Sequence, residues 1–254
     1  MTFLPAPTAL RLLALITLVL AGCTGNTAPA SEPRYAPSPR RFGAKPAFVF
    51  GVHPLHNVRR LTAAYQPIVD RLNQELGDVE VTLEASTSYA AFDEKLRTRQ
   101  LDLALPNPYQ TVQAAKSGYR VFAKMRNDED FRGILLVRKD SGLTSLEQLR
   151  GKKISYPAPT ALAATMLPQW LLHENGLQPG RDVESVYVGS QESSIMNVYL
   201  GQTDAAATWP APWRALARER PEVAAALEVR WQTGTLPNNG LIARNDVQIG
   251  RAHV

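Results

Sequence analysis

The chain has 254 residues, of which 44% are apolar, 20% charged and 7% aromatic. That is enough apolar material to bury a sizeable core, and it excludes the fibrous and disordered classes. Its 28 basic residues against 23 acidic ones leave +5, and the basic side chains are scattered rather than gathered in a stripe, which argues against nucleic acid as a partner. The one cysteine, Cys23, rules out an internal disulfide and zinc sites of the CxxC type.

Residues 1–22 read as an export signal. Arg11 supplies a sparse positive region, and Leu12 to Leu20 is a nine-residue, mainly apolar run, too short to cross about 30 Å of hydrocarbon as a helix. The run closes in Leu20-Ala21-Gly22-Cys23, which resembles a bacterial lipobox, so Cys23 is the expected lipidation site and the mature protein is expected to be held at the membrane outside the cytoplasm by its lipid. Residues 23–46 carry Pro29, Pro33, Pro37, Pro39 and Pro46 without an apolar period and read as a tether, with a reach of roughly 25 to 30 Å if flexible.

From Ala47 the sequence alternates β-rich runs with helical periods, the signature of an α/β protein. Ala47 to Val52 reads as the first strand. Arg59 to Leu76 places Leu61, Tyr65, Ile68, Leu72 and Leu76 on one helical face. Strands are expected over Val79 to Ala85, Leu101 to Leu105, Tyr119 to Met125 and Arg132 to Arg138, with helices from Tyr89 and from Pro108, so that 47–138 forms a first lobe. The Asp140 to Lys153 stretch, with a turn, a short helix capped by Thr144 or Ser145 and a glycine exit, changes the rhythm and is expected to open a second lobe over 139–232. There, strands at Lys153 to Tyr156, Val183 to Val188 and Ala205 to Thr208 alternate with helices at Ala161 to Asn175, Gln191 to Leu200 and Pro212 to Leu227. Residues 233–247 read as the start of a return to the first lobe. The last stretch, 248–254, resembles the translation of a sequencing adapter, so the native chain is expected to continue beyond Val247.

In open α/β sheets a ligand sits beyond the carboxyl ends of the strands, where the next helix offers free backbone N–H groups. Polar and aromatic residues fill these junctions: Ser86 to Tyr89, Asn107-Pro108-Tyr109, Pro157 to Thr160, Gly189 to Ser194, and Asp204 with Trp209. Hydroxyls and N–H groups at helix starts suit an oxyanion, although Ser88, Thr160 and Ser190 could each serve only as helix caps. His53 and His56 follow the first strand and could line the cleft or form half of a metal site; without further ligands nearby, no metal is expected. No GxGxxG, P-loop, HExxH or GxSxG run occurs, so no cofactor is implied.

Several of these stretches carry a family resemblance. Phe50-Gly51-Val52 with Pro54, Tyr89-Ala90-Ala91-Phe92, Leu105-Pro106-Asn107-Pro108-Tyr109, Tyr187 to Ser193 and Gly201 to Thr208 resemble the phosphate, phosphite and phosphonate substrate-binding proteins of ABC transporters. The resemblance implies a two-lobed periplasmic-binding-protein fold, each lobe a mostly parallel sheet flanked by helices, closing over a small oxyanion and passing it to a permease and ATPase complex. It implies that Tyr89 and Tyr109 donate hydroxyls to the oxyanion and that Asp204 faces a cationic substituent where the ligand has one; from their places at the strand-end junctions, Asn107, Thr160, Ser190, Gln191 and His53 are further expected ligand contacts. Two stretches depart from the family pattern. The usual Asp-Pro-x-Ser-Thr-Ser-Gly run is Tyr156 to Thr165 here, with most hydroxyls gone, and the usual Gly-Ser-His is Gly189-Ser190-Gln191. A ligand-sensing module read by a membrane partner such as a histidine kinase is the alternative, and an enzyme using Asp204 or Glu192 as a base is a third reading.

Overall fold

A computed structural model describes residues 45–248; the expected signal segment, Cys23, nearly all of the tether, and residues 249–254 lie outside the described residues. The elements are β1 (Ala47–Val52), α1 (Val58–Leu76), β2 (Glu80–Ala85), α2 (Tyr89–Arg97), β3 (Leu103–Leu105), α3 (Pro108–Lys116), β4 (Tyr119–Lys124), β5 (Arg132–Arg138), β6 (Lys153–Tyr156), α4 (Leu167–Glu174), β7 (Glu184–Tyr187), α5 (Gln191–Tyr199), β8 (Ala205–Thr208), α6 (Pro210–Glu219), α7 (Pro221–Ala226), β9 (Leu227–Thr235) and β10 (Gly240–Arg244). A π turn, Leu162–Met166, leads directly into α4. Among the described residues no helix is long and apolar enough to cross a membrane.

The strands form two five-stranded sheets, ordered β2-β1-β3-β10-β4 and β7-β6-β8-β5-β9. In each sheet three neighbouring strands are parallel, and one strand, β10 or β5, runs against both of its neighbours. The two lobes expected from the sequence are therefore present, with mixed sheets. The antiparallel strand has a simple origin. β4 ends at the carboxyl edge of sheet 1, so the chain enters lobe 2 at the facing edge and its first strand must run away from that edge. β10 does the same on the way back.

This overturns one boundary. Arg132–Arg138, assigned to lobe 1 by the sequence reading, pairs with β8 and β9 in the second sheet, so the crossing lies at 125–131 rather than at 139. The return occurs at 236–239, after β9 has run to Thr235. The crossings lie side by side: Met125 N–H donates to the Asn239 carbonyl at 2.9 Å, Leu236 N–H to the Phe131 carbonyl at 3.0 Å, and the Asn238 amide to the Arg126 carbonyl at 2.9 Å. Asn127 takes the left-handed conformation there, with φ 64°.

Helix α1 is capped by Asn57, whose Oδ1 accepts from Arg60 N–H at 3.0 Å. It buries Leu61 and Val69, while Ile68 and Leu76, both expected inside, are exposed. The inward face thus runs through positions 61, 65 and 69, drifting by one residue from the predicted stripe. In lobe 2, β5 is buried on both sides: Leu135 and Val137 join one cluster with Ile154 and Leu172, and Ile134 and Leu136 join another with Ile195 and Leu216. This is the period-two alternation of a central strand covered by helices on both faces. A further cluster links Phe50, Val52 and Leu105 of lobe 1 with Ala161, Ala163 and Trp209 of lobe 2, so the lobes meet through apolar contact.

Candidate functional site

The facing edges of the two sheets enclose a cavity of about 200 Å³, its open mouth included. Every lining residue comes from one kind of place. Lobe 1 contributes His53 after β1, Tyr89 after β2 and Asn107 after β3; lobe 2 contributes Ala161 to Ala164 after β6, Gln191 after β7 and Trp209 after β8. Phe131 comes from the start of the antiparallel β5, which lies at the same edge. The parallel strand ends thus converge on one gap, as expected for open α/β sheets.

Lobe 2 offers a backbone cradle. Thr165 N–H and Met166 N–H both donate to the Ala161 carbonyl, at 2.7 and 3.4 Å, which winds the turn wide. The N–H groups of Leu162, Ala163 and Ala164 find no protein acceptor among the described residues. They form the start of a helical run that continues through α4, so they carry its positive dipole end. The small side chains of Ala161, Ala163 and Ala164 let a ligand approach this backbone closely. The stretch lost hydroxyls relative to the family pattern but keeps its amide donors. A close fit behind it fixes its position: a Cβ on Gly133 of β5 would meet the Ala163 carbonyl at 2.5 Å and Pro168 Cδ at 2.7 Å.

A polar relay spans the lobes. The buried Thr208 hydroxyl donates to Gln191 Oε1 at 2.7 Å, which leaves Gln191 Nε2 to donate to the Tyr89 hydroxyl oxygen at 3.3 Å. Because Tyr89 accepts from Gln191, its own hydrogen is directed elsewhere, and the ring lines the cavity. Burial raises the Tyr89 pKa, the Gln191 bond lowers it and Asp93 raises it further; the phenol stays a neutral donor. The relay is polarised toward the cavity, and each bond in such a chain strengthens the next.

A second interlobe junction lies beside it. Asn107 Oδ1 caps α3 by accepting from Gln110 N–H at 2.9 Å, and its Nδ2 donates to the Thr160 carbonyl at 2.8 Å. The Thr160 hydroxyl donates to Asp93 Oδ2 at 3.0 Å, and Gln110 Nε2 donates to Asp93 Oδ1 at 2.6 Å. Burial raises the Asp93 pKa, opposed by those two bonds. At the rim, Asn57 donates to Glu192 at 3.2 Å and Arg60 pairs with Glu219.

His53, 3% exposed, is held by Leu105, whose carbonyl accepts from His53 N–H at 3.2 Å and from Nδ1 at 2.9 Å. Its ring meets Tyr89 edge-on, with centroids 6.1 Å apart. Burial lowers its pKa to about 4, against the raising effect of the Leu105 bond and with a smaller lowering by His56. The opposite wall is apolar, formed by Phe131 and Trp209 with ring centroids 5.7 Å apart.

Of the residues singled out from the sequence, His53, Tyr89, Asn107 and Gln191 therefore come together around the cavity, and four do not line it. Asp204 sits at the opposite, amino-terminal end of β8, accepting from Lys153 N–H at 2.9 Å and pairing with Lys152 at 3.5 Å. The four residues of β8 separate it from Trp209, five steps or about 16 Å at the usual rise, so it cannot face the same gap. Ser190 is a cap, accepting from Ser193 N–H at 3.0 Å and donating to Ser193 Oγ at 2.8 Å. Thr160 bridges to Asp93, and Tyr109, half-buried in the first turn of α3, is outside the lining. The sequence reading missed the Ala161 to Ala164 backbone and Phe131. The run of small residues after Pro157 and Pro159 was the available signal for the former; nothing local marked the latter, which reaches the site only because β5 starts there.

The family model of the ABC transporter, phosphonate, periplasmic substrate-binding protein matches residues 50–251. The chain is 24% identical over 208 residues to the probable ABC transporter phosphite binding protein PhnD1 of Prochlorococcus marinus (strain MIT 9301), covering 78% of this chain and 70% of that one. Among solved structures it resembles the binding protein component of an ABC phosphonate transporter from Pseudomonas aeruginosa, with a TM-score of 0.74 and 20% identity over 81% of this chain and 70% of that one. It also resembles Prochlorococcus marinus PhnD1 in complex with methylphosphonate, with a TM-score of 0.73 and 23% identity over 79% and 77% of the two chains. Sheet order, interlobe cavity and the match across most of its length together make this chain a member of the phosphonate periplasmic substrate-binding protein family of ABC transporters.

Proposed function

We propose that the protein captures a small phosphorus oxyanion, a phosphonate, phosphite or phosphate, between its lobes and delivers it unchanged to an ABC permease and ATPase complex. One observation carries this reading: among the described residues the N–H groups of Leu162, Ala163 and Ala164 have no hydrogen-bond acceptor, and these residues and Tyr89 line a cavity with no carboxylate side chain in its lining. Such a set stabilises negative charge through donors alone. Asn107 and Gln191 hold the lobes in register around it, and Phe131 with Trp209 suits a P–H or P–CH₃ face. Methylphosphonate, the ligand of the Prochlorococcus marinus structure, is the natural first probe.

Isothermal titration of the full chain with methylphosphonate, phosphite and phosphate tests this. Binding is expected for at least one, and Tyr89→Phe is expected to weaken it by about 1–3 kcal/mol, since a charged oxygen then lacks a buried donor. Absence of heat with all three, or an unchanged affinity in Tyr89→Phe, refutes the assignment. The membrane attachment belongs to the same proposal: Cys23 carries the lipid and residues 23–46 are the tether. Metabolic labelling with palmitate is expected to mark the wild-type protein and to fail with Cys23→Ser; label retained in that variant refutes lipidation at Cys23.

A further inference from the structure

Leu162 to Ala164 and Tyr89 offer donors to the cavity, and His53 offers an acceptor. Its Nδ1 faces a carbonyl oxygen at 2.9 Å, which can only accept, so Nδ1 carries the hydrogen and the neutral ring keeps its lone pair at Nε2. Among the described residues Nε2 has no hydrogen-bond partner, and His53 lines the cavity. A lone pair there repels a bare anionic oxygen and attracts a hydroxyl. We propose that His53 makes the cavity selective for a singly protonated phosphorus oxyanion, whose P–OH hydrogen is donated to Nε2 while its charged oxygens face the Leu162 to Ala164 amides and the Tyr89 hydroxyl. The inference rests on the phosphorus-oxyanion reading above and adds which ionic form is bound and which residue selects it.

The surroundings keep this acceptor intact at neutral pH. From its own loop His53 is faced by His56, whose pKa is likewise lowered to about 4, by burial and then by the Arg60 guanidinium. Helix α2 presents Tyr89, a neutral phenol, and Phe92 at 6.5 Å between ring centroids; Asp93, a turn along, is engaged with Gln110 and Thr160. From β3 and α3 come the Leu105 carbonyl and the Asn107 amide, and from lobe 2 the Gln191 amide. Among the described residues no carboxylate pairs with the ring to draw a proton onto it, and burial lowers the imidazole pKa to about 4.

Titration calorimetry with methylphosphonate from about pH 5.5 to about pH 9 tests the proposal, with methanesulfonate as the comparison because it matches the monoanion in shape and charge but has no hydrogen to donate. Affinity for methylphosphonate is expected to be flat where the ligand is singly charged and to fall about tenfold per pH unit once it loses its second proton, as uptake of one proton on binding requires. Methanesulfonate is expected to bind at least about tenfold more weakly on the plateau. His53→Phe is expected to erase the preference over methanesulfonate, and His53→Gln, which keeps an acceptor, to retain it. Asp93→Asn is expected to leave the slope in place. Affinity that stays constant through the ligand's second ionisation, or methanesulfonate bound as tightly, overturns the role of His53 while the oxyanion reading stands. If no phosphorus oxyanion binds at any pH, the underlying reading fails and this inference with it.

Discussion

Replacing Gln191 by Met removes both ends of the interlobe relay at once. The amide is 2% exposed and its Thr208 partner is fully buried, so Gln191→Met leaves the Thr208 hydroxyl without the acceptor it now reaches at 2.7 Å and frees Tyr89 from the bond at 3.3 Å. Orphaning a buried hydroxyl costs about 1–3 kcal/mol, whereas replacing both partners with apolar groups of similar shape is close to neutral. Gln191→Met alone is therefore expected to destabilise the protein by about 1–3 kcal/mol. Thr208→Val alone, which leaves Oε1 short of a donor, should cost about 1 kcal/mol, and the double variant should cost less than the sum of the two. Urea denaturation of the four proteins closes the cycle. Effects that add to within about 0.5 kcal/mol would show that Thr208 and Gln191 are not coupled and would refute the relay. Methylphosphonate affinity supplies a second readout. It should stay low in the double variant, because restoring the apolar fit does not re-aim the Tyr89 hydroxyl.

Tyr109→Phe is expected to leave methylphosphonate affinity within about 0.5 kcal/mol of wild type by calorimetry, as for other sites away from the contact; a larger loss would place Tyr109 at the ligand. Gly133→Ala should destabilise by about 1–3 kcal/mol through overpacking and weaken binding, because the added Cβ pushes on the Ala163 carbonyl; a normal melting temperature with normal affinity counts against the close fit behind the cradle. The Asp93 carboxyl is shifted upward by burial, so between its ordinary pKa and the raised one the folded state holds more protons than the unfolded state, and stability falls as pH rises through that window. Asp93→Asn, which can still accept from Gln110 and donate to Thr160, should lack this component; melting curves of the two proteins that run parallel across the acid range would contradict it.

The α/β character, the positions of most strands and helices, and the strand-end location of His53, Tyr89, Asn107 and Gln191 were legible in the sequence because they depend on local periodicity and on short junctions. Asn107 illustrates this: a polar residue before a proline, with Gln110 three positions on, specifies a capped helix start whatever surrounds it. Asp204 and Thr160 show the limit. Both residue types suit an anion or cation pocket, yet one lies at the far end of its strand and the other is held by Asp93 from the opposite lobe. Strand order, the lobe to which β5 belongs, the arrival of Phe131 and the tautomer of His53 were decided only in three dimensions. Each depends on which distant backbone supplies a hydrogen-bond partner, and an apolar run such as Ile134 to Val137 reads the same in either sheet.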